Sequence, residues 1–510
     1  MGDLVFITKW NMYRPLLFGL LIGLTGIGFL TGSCALNPVT KRPNLVLTTT
    51  EGERNIGEKA AREIEESVGL TKDPQLTAYV ESVGQRLAAH SPRRDVEYHF
   101  YVVEMVEPNA FALPGGFVYV SRGLLALVNS EDELANVIGH EIGHVAARHA
   151  VQRMSAAAPF AIVGGVAGAV TGIVSDRLSN LVTGITGFTS SLLLSPYSRE
   201  QEREADKVGI EMAAAAGWDP GALSSFLHTL ERHEELHLDG PRKTSFFDSH
   251  PATPERVSIT TKYARKVPGA KAQPIAANRS AFLAKLDGLV VGQHPANGVF
   301  VKTLFLQPDL DFAVRFPNDW ETQNTRQAVL AIKKNHAVFS LLQVVAQGDD
   351  PMIGLRTLNE KVAGNLLENA ESFKVDGLPA VRIVLQSRTK QGPTAVDLTW
   401  IAHKGLVYQI IASCPLDQYE NYSSIFSEIV QSFRHSLTSA EQARITITRL
   451  RLVQAREKET LAQFLLRTES VWNVDEAAVA NGLSRDVTLR QGQLVKIAKR
   501  ERYLPATVKN

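Results

Sequence analysis

The sequence predicts a multidomain protein with a mainly α-helical domain that contains a small β-sheet, then an α/β domain, then a small βααβ domain. Three observations predict this order. Helical spacing of apolar residues dominates residues 51–267, strand-like alternation recurs through residues 300–437, and residues 442–503 combine two strands with helical segments. A chain of 510 residues, 44% hydrophobic and 21% charged, is long enough for two or three domains.

The N-terminus is predicted to be a targeting segment over residues 1–33. Lys9 and Arg14 precede the uncharged run 16–31, which is shorter than the roughly 20 residues needed to span a bilayer. The run leads into LTGSC, which resembles a lipoprotein signal with Cys34 as the lipidated first mature residue. The alanine that follows suggests the outer membrane. The alternative is an uncleaved anchor helix.

Charge and cysteine content exclude two further classes of protein. A formal net charge of +1 gives no argument for nucleic-acid binding, so no nucleic-acid partner is expected. Cys34 and Cys414 are the only cysteines, and with Cys34 lipidated no disulfide framework can form within one chain. Cys414 ends an apolar run and is predicted to be a buried strand cysteine.

The first domain is predicted to begin after a tether. Residues 34–50 are expected to be extended, and residues 51–69 and 74–90 read as two amphipathic helices. Residues 96–103 and 116–120 read as strands, the second reached through a Leu-Pro-Gly-Gly turn. The predicted domain closes near residue 267.

The motif that carries chemistry lies in the next predicted helix, ELANVIGHEIGHVAARH, residues 133–149. Ser130 starts a predicted capping box for it. His140 and His144 stand four residues apart, so a helix places them on one face, where both imidazoles can bind one zinc ion. Glu141 between them reaches a metal-bound water. The alternative is two surface histidines on an amphipathic helix.

The residues after this helix narrow the class of zinc site. The longer metzincin signature needs Gly and His where this chain has Ala147 and Ala150, so that class is excluded. His149 is one residue out of register. It is predicted to support the site from outside the ligand set.

A cluster of acidic residues downstream supplies the predicted third ligand. Ser198 and Gln201 form a predicted capping box that opens a helix. On that helix Glu202 and Asp206 share a face. Glu202 is the predicted third zinc ligand, with Asp206 supporting it, and Asp176 is the alternative carboxylate.

Residues 156–194 are rich in Gly, Ala, Ile and Val. The uncharged part, 156–174, is near membrane-span length but weakly hydrophobic. We expect a buried helical hairpin that covers the active site, with a membrane segment as the alternative. The loop 195–198 is a hypothetical plug over the site.

Together these motifs resemble the HtpX-like and CAAX-protease-like zinc metallopeptidases of peptidase family M48. HEIGH is followed by EREAD and then by a Ser-His-Pro loop, and the resemblance covers about residues 37–265, including NAFALPGGFVYVSRGLL at 109–125. It implies a zincin (gluzincin) fold, endopeptidase activity and Glu202 as zinc ligand. In the periplasmic, BepA-like lipoprotein branch, His250 would fill the remaining zinc position and close the site. Arg256 would support the site without binding the metal.

The resemblance also implies a mechanism. Three protein ligands leave the fourth zinc position open for water, and Glu141 acts as the base. When not bound to zinc, His250 would stabilise the oxyanion instead. In such peptidases an edge strand carries the substrate backbone. That role is assigned as a hypothesis to Phe117, Val118, Tyr119 and Val120.

The C-terminal half is predicted to hold accessory domains. After a linker at 268–299, the pattern FAVRFPNDW in residues 300–437 resembles PsbP/Mog-like α/β modules, interpreted as an interaction or scaffold domain. Residues 442–503 resemble a LysM module, which implies contact with peptidoglycan. The alternative for that segment is a small basic spacer.

Two hypotheses of function follow. The first is a zinc endopeptidase, lipid-anchored on the periplasmic face of the outer membrane of a Gram-negative bacterium, that degrades misfolded or stalled envelope proteins. The second is a chaperone-like assembly or peptidoglycan-associated binding factor with a rarely active site. An intact Glu141 favours the first, since a binding protein has no need of that base.

Overall fold

The computed structural model describes residues 34–164, 196–237, 246–251, 254–269, 271, 274–334, 337–361, 365–389 and 392–505. The predicted targeting segment 1–33 lies outside these residues, as does most of the predicted helical hairpin 156–194. None of the described helices combines the length and the apolar character needed to cross a membrane.

The described chain begins with a β-hairpin, so the extended tether predicted for residues 34–50 is wrong. Strands β1 (Cys34–Leu36) and β2 (Pro43–Leu45) pair antiparallel. Asn37 organises the turn between them, because its side-chain oxygen accepts the backbone N–H groups two and three residues ahead at 2.8 and 3.2 Å. Such local hydrogen bonds fold a turn that hydrophobic periodicity does not reveal.

A three-stranded sheet and a layer of helices surround the HExxH motif. Strands β3 (His99–Val103), β5 (Phe117–Ser121) and β4 (Ala110–Leu113) lie in that order, with β3 parallel and β4 antiparallel to β5. The helices are α1 (Thr50–Ser67), α2 (Pro74–Ala88), α3 (Arg122–Leu127), α4 (Glu131–Ala146), α5 (His149–Gly164), α6 (Arg199–Ala215), α7 (Ala222–Glu235), α8 (Phe246–Ser249) and α9 (Pro254–Ala264).

The strand order corrects the predicted substrate strand. Phe117, Val118, Tyr119 and Val120 belong to the central strand β5, whose two edges are both paired, so its backbone offers no free edge to a substrate. The edge strand in contact with α4 is β4. Because β3 and β5 pair directly, β4, which lies between them in sequence, takes the edge of the sheet. Alternation of apolar and polar residues does not encode that order.

Helix α4 carries the HExxH motif and is shorter than predicted. Ser130 accepts the N–H of Glu133 at 3.2 Å, while the Glu133 carboxylate accepts the N–H of Asn129, so the predicted capping box is only half formed. The helix ends at Ala146. Arg148 adopts φ +63°, a left-handed conformation that turns the chain before α5 begins.

Helices α4 and α6 approach each other backbone to backbone. A Cβ atom on Gly143 would lie 2.9 Å from the carbonyl oxygen of Ala205, and one on Gly209 would lie 2.6 Å from the amide nitrogen of His140. Only glycine fits at these crossings. Because α6 starts at the capping box formed by Ser198, its first turn is held against the HExxH motif.

The accessory domain is built on seven antiparallel strands. Their order is β12, β13, β14, β15, β11, β10, β9, with helices α11 (Met352–Lys361) and α12 (Tyr419–Gln431) packed on them. The strands are β9 (Trp320–Asn324), β10 (Ala328–Lys333), β11 (Phe339–Gln347), β12 (Glu371–Val375), β13 (Leu378–Thr389), β14 (Gly392–His403) and β15 (Leu406–Pro415). Cys414 is buried on β15, as predicted.

A smaller sheet precedes these seven strands in the chain and shares their hydrophobic core. It contains β6 (Val299–Val301), β7 (Leu304–Gln307) and β8 (Phe312–Arg315). The segment predicted as a linker, 268–299, contains helix α10 (Arg279–Ala284), whose Phe282 and Leu283 are fully buried in the same core as α4. This part of the segment therefore belongs to the peptidase core.

The last described segment has the predicted βααβ order. It contains β16 (Thr446–Gln454), α14 (Leu461–Thr468), α15 (Val474–Ala480) and β17 (Leu494–Arg502), preceded by α13 (Ser439–Arg444). The two strands pair antiparallel, and α15 packs against α3 and α7. The C-terminal module is thus docked on the helices around the HExxH motif.

Candidate metal centre

Four buried side chains from three parts of the fold meet in one space. His140 and His144 come from α4, Glu202 from the first turn of α6, and His250 follows α8. Their ligand atoms all lie within 4.8 Å of one another. Within the part of the chain that the structure describes, this is the only such group of three or more histidine, cysteine or acidic residues.

The spacing of these atoms fits a zinc ion. Nε2 of His144 lies 3.0 Å from Nε2 of His140 and 3.3 Å from Oε1 of Glu202, and Nδ1 of His250 lies 3.2 and 3.0 Å from those same two partners. Ligand atoms of a tetrahedral zinc site with bonds of about 2.0 to 2.1 Å are about 3.3 Å apart. His140, His144, Glu202 and His250 therefore fit zinc.

A buried ion pair holds these ligands from outside. Nδ1 of His140 lies 2.8 Å from Asp206, whose two oxygens accept from the Arg256 guanidinium at 2.7 and 2.8 Å. Arg256 also lies 2.5 Å from Glu202. One guanidinium thus orients two carboxylates, one on the metal side and one behind His140.

His149 lies on the far side of His144. Its Nδ1 is 2.9 Å from Nδ1 of His144, and its Nε2 faces Glu204 at 3.7 Å. It is not in the group of four ligand atoms.

The protonation of His144 and Glu202 suits a cation. Burial lowers the pKa of His144 well below its ordinary value, which favours the neutral imidazole that binds metal. Burial opposes ionisation of Glu202, but His250 and Arg256 outweigh it and hold the pKa of that carboxyl well below its usual range. Both groups are therefore ready to ligate near neutral pH.

Glu141 stands apart from these ligands in its chemistry. It is completely buried, and neither of its oxygens has a hydrogen-bond partner among the described residues, although Nε2 of His250 lies 3.5 Å away. Burial raises the pKa of Glu141 despite the opposing influence of His250 and His140. A raised pKa brings a carboxyl closer to the range in which it can both accept and release a proton.

Two aromatic rings cover the histidines. Tyr197 stacks on His144 with ring centroids 3.8 Å apart, and its backbone N–H donates to the carbonyl oxygen of Ser249. Phe246 stacks on His250 at 4.3 Å. Tyr197 lies in the loop predicted as a plug, of which residues 196–198 are described. The stacking of these rings on the histidines could not be predicted from the sequence, because it depends on contacts between residues distant in sequence.

Comparison with known proteins shows which proteins the region around this site is similar to. Residues 74–264 match the model described as peptidase family M48. The chain is 30% identical over 226 residues to the beta-barrel assembly-enhancing protease of Escherichia coli K12, a match that covers 44% of this chain and 46% of that protein. It is 29% identical to the mitochondrial metalloendopeptidase OMA1 of Schizosaccharomyces pombe over 47% of this chain and 69% of that one.

The chain thus spans about half the length of the bacterial relatives that it matches. Among solved structures, the cyanobacterial PsbP protein of Synechocystis matches 28% of this chain and 98% of its own, with a TM-score of 0.22 and 17% identity.

Proposed function

We propose that this protein is a zinc endopeptidase of the cell envelope that cleaves misfolded or stalled outer-membrane proteins, on the premise that residues 74–264 match peptidase family M48. The observation that carries the proposal is Glu141, a buried base without a hydrogen-bond partner among the described residues, next to ligands spaced for zinc. A binding factor would have no use for such a base, so the alternative of a chaperone-like role is not favoured.

The reaction is the hydrolysis of a peptide bond. His140, His144 and Glu202 would hold zinc, which when bound would polarise the scissile carbonyl and make a bound water more acidic. Glu141 accepts a proton from the water as the water oxygen forms a bond to the carbonyl carbon. Glu141 then delivers that proton to the leaving amine nitrogen as the carbon–nitrogen bond breaks.

His250 is proposed to close the site at rest. Its Nδ1 is within 3.2 Å of both His140 and Glu202, where it would complete a four-ligand set and exclude water. Tyr197 would reinforce the closure, because it stacks on His144 and is hydrogen-bonded to the loop of His250. Substrate would then have to displace both side chains. Outside this resting state, His250 is a candidate stabiliser of the developing oxyanion.

The substrate backbone is proposed to bind along β4, by strand addition. This strand lies at the edge of the sheet and contacts α4, whereas β5 is enclosed. An extended segment paired with β4 would lie beside the HExxH helix. Unfolded polypeptides offer such segments and folded proteins seldom do, which fits a quality-control role.

The location and the remaining partners are also proposals. Lipidation at Cys34 would hold the protein on the periplasmic face of the outer membrane. The C-terminal module would contact peptidoglycan. Names of the bacterial relatives, which refer to β-barrel assembly, support an envelope location in a Gram-negative bacterium.

The direct test of the activity is Glu141→Gln in the mature full chain. The variant keeps the shape of the side chain but removes the base, so cleavage of an unfolded protein such as casein should fall by a factor of about 100 to 10,000. Zinc content should be unchanged. Glu200→Gln, an exposed acidic residue at the start of α6, is the matched control. Cleavage by Glu141→Gln at the wild-type rate would contradict the proposal.

A further inference from the structure

We propose that the N-terminal hairpin, residues 34–45, is a strut of the zinc site, with Asn37, Glu204 and His149 as positioning residues that fix the imidazole of His144. This inference rests on the proposed zinc site. It assigns to the hairpin a part in metal binding, in place of the passive tether expected from the sequence.

The first link joins His149 to the ligand. Nε2 of His144 faces the other ligand atoms, so its Nδ1 points outward, and there it meets Nδ1 of His149 at 2.9 Å. If Nε2 of His144 binds zinc, its proton resides on Nδ1 and is donated to His149. His149 then carries its own proton on Nε2, which makes no hydrogen bond among the described residues but lies 3.7 Å from the Glu204 carboxylate, within ion-pair distance. In this arrangement each histidine carries one ring proton, and that proton is directed at the next side chain.

The second link joins Glu204 to the hairpin. The Asn37 side-chain amide donates to Oε1 of Glu204 at 2.8 Å, and Asn37 is only 3% exposed. The amide has one orientation, because its oxygen accepts two backbone N–H groups of the turn. Since the turn fixes Asn37, it also fixes the carboxylate behind His149.

The chain after the hairpin is also fastened close to this site. The backbone N–H of Leu47 donates to the hydroxyl of Ser155 on α5 at 3.0 Å, and Arg148 donates to the carbonyl oxygen of Thr48 at 3.0 Å. Cys34 precedes Asn37 by three residues, which reach at most about 11 Å when extended. A force applied at Cys34 would therefore be transmitted to Asn37 through only three residues.

The test measures zinc affinity as well as activity in the full mature chain. Asn37→Ala, Glu204→Gln and the control Glu200→Gln are compared by competition with a chromogenic zinc chelator. We expect Glu204→Gln to weaken zinc binding by about 10- to 100-fold, the usual effect of removing an outer partner of a ligand. Asn37→Ala should weaken it less, and Glu200→Gln should not change it.

A second readout separates positioning from a loss of folding. Cobalt in place of zinc reports ligand geometry through its visible absorption, which should shift in Asn37→Ala although the substitution lies outside α6. Wild-type zinc affinity and an unchanged cobalt spectrum in both variants would overturn the strut and leave the peptidase proposal intact. Failure of the wild-type protein to bind zinc would overturn both.

Discussion

At the scale of single residues, His250 is the side chain that we propose closes the zinc site. It contacts Glu202 through Nδ1 and faces Glu141 through Nε2, so one ring touches both a ligand and the base. The stacking of Phe246 on this ring holds it in place. In the proposed resting state, a side chain in this position would keep water from the metal and would lie against Glu141.

We therefore expect His250→Ala to raise the rate of casein cleavage several-fold, because the fourth position is freed. Cleavage by the purified full chain is the measurement, with His228→Ala, an exposed histidine on α7, as the control. If His250 instead stabilises the transition state, the rate will fall, by as much as 100- to 1,000-fold for an oxyanion donor. That fall would contradict the latch.

At this scale the sequence is a good guide to the centre of the site. The four-residue spacing in HExxH and in Glu202 to Asp206 is encoded in helix geometry, so neighbours on one helix can be inferred. Asn37 could not be inferred, because it meets Glu204 across 167 residues of sequence. Only the packing of the hairpin on α6 reveals that contact.

At the scale of elements, α14 begins with an ion pair that makes the C-terminal module sensitive to acid. Glu459 accepts from Arg467 at 2.6 and 2.9 Å and from the backbone N–H of Arg456 at 2.9 Å. The Arg467 guanidinium lowers the pKa of Glu459 to about 2. The ionised form therefore stabilises the folded module.

The sign of the pH effect follows from that lowered pKa. The stabilisation is fully present above about pH 4.5 and is lost as the pH falls toward 2. Glu459→Gln should lower the melting temperature at pH 6, and the deficit should shrink at pH 3. Glu457→Gln, an exposed neighbour, is the control. A deficit that does not change with pH would contradict the ion pair.

Elements were predicted better than their arrangement. Helices α1, α2 and α6 lie close to their expected positions because capping residues and apolar periodicity mark them. The order of β4 and β5 was not predictable, since both are short and largely buried, and alternation says nothing about neighbours. The substrate strand was therefore assigned to the wrong element.

At the scale of the whole molecule, a buried lysine is one of the contacts that join the C-terminal module to the peptidase region. Nζ of Lys496 on β17 donates to the carbonyl oxygens of Ala126, Leu127 and Val128 at 2.8, 3.3 and 2.9 Å. These carbonyls lie at the C-terminal end of α3, where a cation is favoured. Burial lowers the pKa of Lys496 to about 7, and Glu133 of α4 opposes that change.

Lys496→Met should lower the free energy of unfolding by about 1 to 3 kcal/mol, because the buried carbonyl oxygens at the end of α3 lose their shared hydrogen-bond donor. Urea unfolding of the full chain followed by circular dichroism measures this change. Lys499→Met, on the same strand but half exposed, is the control. Equal stability of the two variants would show that the module is not clamped through Lys496.

This docking also shows a limit of sequence reasoning. The βααβ order was predictable from short periodic segments, but Lys496 reads as one of many surface cations in a basic segment. Its complete burial depends on the helix end that it meets. The module is therefore part of the scaffold around α4, whatever else it binds.

The central claim is that His140, His144 and Glu202 hold one zinc ion. The most direct measurement is the zinc content of the purified mature protein by elemental analysis, with Glu202→Ala and the control Glu200→Ala beside it. We predict one zinc ion per chain in the wild type and the control, and its loss in Glu202→Ala. No zinc in the wild type, or full retention in Glu202→Ala, would contradict the ligand set.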